Sequence, residues 1–150
     1  MTVARLPRWL KVVNPVIVLL QRLGIAFLSF HLISIPGRRT GRMRTTPVSP
    51  FLVDGERHII SLGQTEWVRN ARAAGWAILS RGRRQQRVRL VELDLAERVP
   101  VLRAFPARVP GGVPFFVQVG AVQAPADADA FAAAAPVLSA FRVEPERPDA

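Results

Sequence analysis

A chain of 150 residues with 21 lysines and arginines against 11 aspartates and glutamates carries a formal net charge of +10, which points to anionic partners. A hydrophobic fraction of 49% excludes a disordered chain, and the length suits one domain with a buried core. With no cysteine, disulfide frameworks, thiolate zinc sites and cysteine nucleophiles are excluded; His31 and His58 stand in apolar, strand-like contexts that suit structural roles better than a metal centre.

Residues 6–23, LPRWLKVVNPVIVLLQRL, read as a helix with an apolar majority, bent or restarted at Pro15. A membrane span needs roughly 20 uninterrupted apolar residues. Lys11, Arg22 and Arg38 break the run too often for that, and Pro15 and Arg22 also argue against a signal peptide. The segment 1–25 is expected to pack on the body of the domain, or to rest on a lipid surface without spanning it. The expected location is the cytoplasm, with room for a peripheral contact to the inner face of the cell membrane.

From Phe27 the period changes, and FLSFHLISI alternates as a strand that stops at Pro36-Gly37. A second strand is expected from Arg44 to Val53, turning at Asp54-Gly55 into HIISL, 58–62. EWVRNARAAG, 66–75, reads as a short helix ended by Gly75. WAILSR and RVRLVEL form another hairpin about Gly82. DLAERVPVLRAF suggests a helix with Asp94 near its cap and Pro100 disturbing it. Residues 106–126 look loop-rich around PFFVQV, ADADAFAAAA looks helical, and LSAFRVE looks like a final strand. The expected class is α+β: an antiparallel barrel or sandwich over 26–145 with a few short helices, an N-terminal helix, and a fraying tail at 146–150.

The stretch IPGRRTGRMRTTPV, 35–48, gathers Arg38, Arg39, Arg42 and Arg44, and the first acidic residue of the chain is Asp54. Gly37 and Gly41 bracket a loop that can turn amide N–H groups inward, while arginine forks suit phosphate or carboxylate. It is no Walker loop, because no lysine follows a glycine at the required spacing and no helix follows. Nucleic acid fits the charge but not the lack of interleaved aromatics or of any recognition motif. No G-x-S-x-G elbow or histidine triad supports hydrolysis. Solvated charge and a small anionic ligand both remain open on these grounds.

Gly-Arg-Arg-Thr-Gly-Arg-Met-Arg-Thr-Thr-Pro-Val, 37–48, followed by a strand, Gly63 and Trp67-Val68-Arg69-Asn70, resembles the fingerprint of the deazaflavin-dependent nitroreductase and quinone reductase family. The resemblance covers about residues 30–93 and implies a split β-barrel that binds coenzyme F420, a deazaflavin with a phosphate and an oligoglutamate tail. It matches Arg38, Arg39 and Arg44 to the positions that hold the tail. Thr46, Pro47 and Val48 match the segment whose backbone contacts the ring. Gly63 would let the ring approach, and Trp67 and Asn70 match positions lining the pocket. The implied activity is an oxidoreductase passing a hydride to a quinone, an enone or a nitro-aromatic acceptor, with the cofactor carrying the hard step. The tyrosines that shape the pocket of nitroimidazole-reducing relatives have no counterpart, since the chain has no tyrosine. Related barrels hold FMN or haem, and a cofactor carrier or membrane-associated binding protein without turnover is a further alternative.

Overall fold

The computed structural model describes residues 31–146; the helix expected over 6–23, the start of the strand expected from Phe27, and 147–150 lie outside the described residues. Seven strands form one sheet: β1 (His31–Pro36), β2 (Met43–Val48), β3 (Phe51–Val53), β4 (Glu56–Leu62), β5 (Trp76–Arg81), β6 (Arg84–Glu92) and β7 (Leu138–Pro145). Their order is β2-β1-β5-β6-β7-β4-β3, with every neighbouring pair antiparallel. Four helices accompany them: α1 (Glu66–Ala74), α2 (Leu95–Arg108), α3 (Val113–Gln118) and α4 (Ala128–Ala133), with a 3-10 turn at Pro110–Gly112. None of the described helices is long and apolar enough to cross a membrane.

The single strand expected over 44–53 is in fact two. Pro50, which has no N–H to give a ladder, lies in the break between β2 and β3. The two pieces lie at opposite edges of the sheet. Three Cα–Cα steps separate Val48 from Phe51, so the edges approach within roughly 11 Å there. A seven-stranded sheet can do this only by curling, and the result is a half-barrel in keeping with the split-barrel expectation.

Local chemistry sets the hairpins. Asp54 and Gly55 both have positive φ, 52° and 77°, as a type I′ turn requires. Gly82, at φ 58°, opens the two-residue turn Gly82-Arg83, so Arg81 already pairs with Arg84 and β6 starts three residues before RVRLVEL. α2 is longer than expected and runs through Pro100 and Pro106. A capping box offsets the bond that Pro100 removes: Glu97 N–H donates to Asp94 at 2.8 Å, and Asp94 N–H donates to the Glu97 carboxylate at 3.2 Å. Pro100 and Ala96, whose carbonyl loses its donor, both face solvent. The stretch expected to be loop around PFFVQV holds α3.

The curl separates two cores. Ile33, Ile35, Val48, Ile59, Leu79, Val88 and Phe141 come from six strands and meet Val68 and Ala71 of α1, so this cluster is the concave interior. Ile60, Leu62, Leu138 and Ala140, from the other faces of β4 and β7, pack under α2, α3 and α4. Phe105 is the hub of that outer cluster, 5.4 Å from Phe51, 5.3 Å from Phe116 and 5.2 Å from Phe131 by ring centroid. Arg98 ties α2 to β7 by donating to the Ala135, Leu138 and Leu93 carbonyls at 3.0, 2.9 and 3.2 Å.

His58 is buried on the outer face, tilted against Phe51 with ring centroids 6.4 Å apart. Burial lowers its pKa from the ordinary 6.5, with the Glu56 backbone and carboxylate opposing. As pH falls the unfolded chain therefore takes up this proton before the folded one does. The stabilising contribution is present above pH 6.5 and is lost as pH falls through the folded pKa. His58→Phe should flatten the fall in melting temperature between about pH 7.5 and 5 relative to the parent; an identical slope in both proteins would count against it. Gly55→Ala should strain the turn by about 1–2 kcal/mol, read as a lower denaturant midpoint at unchanged slope.

Candidate functional site: an arginine loop latched to a helix

The loop between β1 and β2 closes on itself, with Gly37 N–H donating to the Arg42 carbonyl at 2.7 Å and Gly41 N–H donating to the Gly37 carbonyl at 2.8 Å. Gly41 takes φ 75°, where a side chain would be strained. The loop is then fastened to α1 by Arg38. Its main-chain N–H donates to Asn70 Oδ1 at 3.1 Å, and its Nη1 donates to the same oxygen at 2.9 Å and to Glu66 Oε2 at 2.8 Å.

Asn70 is buried, so its oxygen meets these donors away from water and the latch is specific. The Glu66 pair is exposed and adds little stability. The Arg38 hydrogen bond, and then its charge, hold the Glu66 carboxyl below the usual carboxylate range, and Arg69 and Arg39 add to the effect. One carboxylate thus serves a neighbourhood of several guanidiniums. Arg39, Arg42 and Arg44 are exposed and make no salt bridge among the described residues.

β2 carries the site inward. Arg44, Thr46 and Val48 alternate along one face, opposite Ile35, Ile33 and His31 of β1. Exposure falls along that face from Arg44 through Thr46 to the buried Val48, which belongs to the inner core. Pro47 and Thr45 point to the other face, where Thr45 Oγ1 and Ser34 Oγ lie 2.8 Å apart.

α1 follows a turn in which Gly63 N–H donates to the Val137 carbonyl at 3.0 Å. A Cβ on Gly63 would lie 3.2 Å from Ser139 Oγ and 3.3 Å from the Val137 carbonyl oxygen, so here the missing side chain makes room for β7. Trp67 is half-buried, with its ring 5.7 Å from that of Phe141 and tilted by 42°. Gly75 ends the helix at φ 74° and donates back to the Ala71 carbonyl at 2.8 Å.

Arg38 and Asn70 are therefore in direct contact, with Trp67 one turn away; Arg39 and Arg44 flank the same loop, Thr46 to Val48 run along β2, and Gly63 faces β7. Reading the sequence missed Glu66, although its place four residues before Asn70 puts both on one helix face. It also left Arg42 out of the binding set, and Arg42 shares the loop and is just as exposed. Among the described residues no group of three or more histidines and acidic residues is placed to hold a metal ion.

No protein-family model matches the chain, and no curated protein does either. Solved structures do. An F420-H2 dependent reductase, FDR-A, superposes with a TM-score of 0.52 at 14% identity, over 77% of this chain and 94% of its own. A protein related to general stress protein 26, of the pyridoxinephosphate oxidase family, from Clostridium acetobutylicum gives 0.52 at 10% identity, over 79% and 76%. PhzG from Burkholderia lata 383, solved with tetrahydrophenazine-1-carboxylic acid, gives 0.52 at 17%, over 78% and 66%. At these identities the likeness is one of fold, and it supports the split-barrel architecture.

Asn70→Leu should release the loop. Losing the acceptor of two Arg38 donors is expected to cost about 1–3 kcal/mol and to speed amide exchange at Arg38. Exchange at Arg38 no faster than in the parent would show that the loop is held by something else.

Proposed function

We propose that this protein is an oxidoreductase that binds the deazaflavin coenzyme F420 and reduces an electron-poor acceptor of the quinone, enone or nitro-aromatic kind. The observation that carries the proposal is the set of three exposed, unpaired guanidiniums, Arg39, Arg42 and Arg44, on a loop that a fourth arginine fixes to α1. Like charges gathered on a latched loop repel one another, and a polyanionic tail relieves that repulsion. The donor set fits a phosphate with several carboxylates better than it fits a neutral ligand.

When bound, the reduced deazaflavin supplies the hydride. The chain's own part is to bind, orient and exclude water. Arg39 and Arg44, with Arg42 beside them, hold the tail. Arg38, whose Nη1 is already committed to Asn70 and Glu66, positions the loop and lends its charge. Thr46, Pro47 and Val48 offer the strand along which the ring lies, and Trp67 with Asn70 forms the helix wall of the pocket. Gly63 keeps the turn before α1 close to β7 and free of a side chain.

FMN is the second reading, supported by the fold shared with a pyridoxinephosphate oxidase-family protein. FMN carries one phosphate and no glutamate tail, so it would use fewer of these arginines. An absorbance titration with F420, its tail-less deazaflavin and FMN separates the two. Each charge-assisted contact to the tail is worth about 1.5–3 kcal/mol. Arg44→Ala should therefore weaken tailed F420 roughly tenfold or more and barely affect the tail-less ring. Equal losses for both ligands, or tighter binding of FMN, would overturn the assignment. F420 should also quench Trp67 fluorescence, and Trp67→Ala should impair turnover more than folding; a variant that only melts earlier would make Trp67 a core anchor against Phe141.

A further inference from the structure

At the end of the curl away from α1 lies a cavity of about 790 Å³, between the β3–β4 hairpin, β6 and the last residues of β7. Val88 and Val143, both buried in the inner core, give it an apolar floor. Leu52 at its rim is a large hydrophobic residue left exposed. The volume lies within the range of about 300–1,000 Å³ usual for small-molecule sites.

Six charged residues border this cavity, and five of them are paired. Glu144 accepts from Arg89 and from Arg142, the latter at 2.9 Å. Arg142 also lies 3.9 Å from Glu56, and Glu146 accepts from Arg87 at 2.8 Å. The sixth is Arg57, half-buried and without a salt bridge or side-chain hydrogen bond among the described residues. In the sheet it sits directly between Leu52 and Val143, so its lateral neighbours are apolar. A half-buried guanidinium that forms no ion pair among the described residues carries a desolvation cost that an anion in the cavity would offset.

We propose that this cavity binds a small amphipathic carboxylate, with its apolar part on Val88, Val143 and Leu52 and its carboxylate on the fork of Arg57. The arginine fork suits a carboxylate in two parallel hydrogen bonds. The site is separate from the arginine loop: β4 runs from Arg57 at the mouth to Leu62 before α1, a distance of about 17 Å.

Calorimetric titration of the full chain with octanoate and with octanamide tests the assignment. Octanoate should bind more tightly than octanamide. Arg57→Gln should weaken octanoate about tenfold and leave octanamide unchanged. Arg57→Lys should keep most of the octanoate affinity, and Leu52→Asp should weaken octanoate further than octanamide. Arg44→Ala should leave octanoate binding intact while weakening tailed F420, so either proposal can fail without the other. Equal affinities for the two ligands, octanoate binding indifferent to Arg57→Gln, or loss of octanoate binding in Arg44→Ala would overturn it. Should Arg57→Gln fail to fold, Arg57→Lys and Leu52→Asp decide the matter by the same comparison.

Discussion

Two residues, Ser49 and Pro50, join the strands at opposite edges of the sheet, and most of the architecture follows from that short tether. A flat sheet of seven strands would hold its edges about six strand spacings apart, near 29 Å. The tether allows far less, so curvature is forced by connectivity before any side chain packs. Curvature in turn creates an inside and an outside, and the alternation of β4 and β7 serves both. Ile59 and Phe141 fill the inside, while Ile60, Leu62, Leu138 and Ala140 meet the helices outside.

The curl also decides where chemistry can sit. A half-barrel has two ends, and α1 packs Val68 and Ala71 into the interior near one of them. The same helix presents Glu66 and Asn70 to the β1–β2 loop, so one nine-residue helix both fills the core and fixes the loop. Packing thus sets the position of a charged segment that could not organise itself. Four arginines in seven residues have no internal reason to adopt one shape, and the buried amide oxygen of Asn70 gives them one.

What could be read in the sequence was what is decided locally. The Asp54-Gly55 turn, the Gly75 helix stop, the Gly82 turn and the last strand each depend on a few adjacent residues, and each is found where expected. The division of 44–53 could not be read from periodicity, because Thr46, Val48 and Leu52 keep one phase through the break and only Pro50 marks it. The persistence of α2 beyond Pro100 depends on Phe105 meeting Phe51, Phe116 and Phe131, contacts that no local rule supplies. At the site, the clustering of the arginines was plain, while the resemblance singled out Asn70 as a pocket-lining residue and not as the acceptor of Arg38. The inward commitment of Arg38 was not plain, because its buried partner Asn70 lies 32 residues away. Gly63 shows a further limit: glycine reports that space is needed, and only the fold shows that Val137 and Ser139 use it.

Among the described residues, a sheet that curls without closing keeps two unpaired margins, each a row of peptide groups able to recruit another chain. β3 limits the hazard by being three residues long. β2 is twice as long, but Pro47 interrupts its donors and the exposed Arg42 and Arg44 repel a second copy of the same margin. The guanidiniums assigned above to an anionic tail thus also set like charge against like charge along this seam.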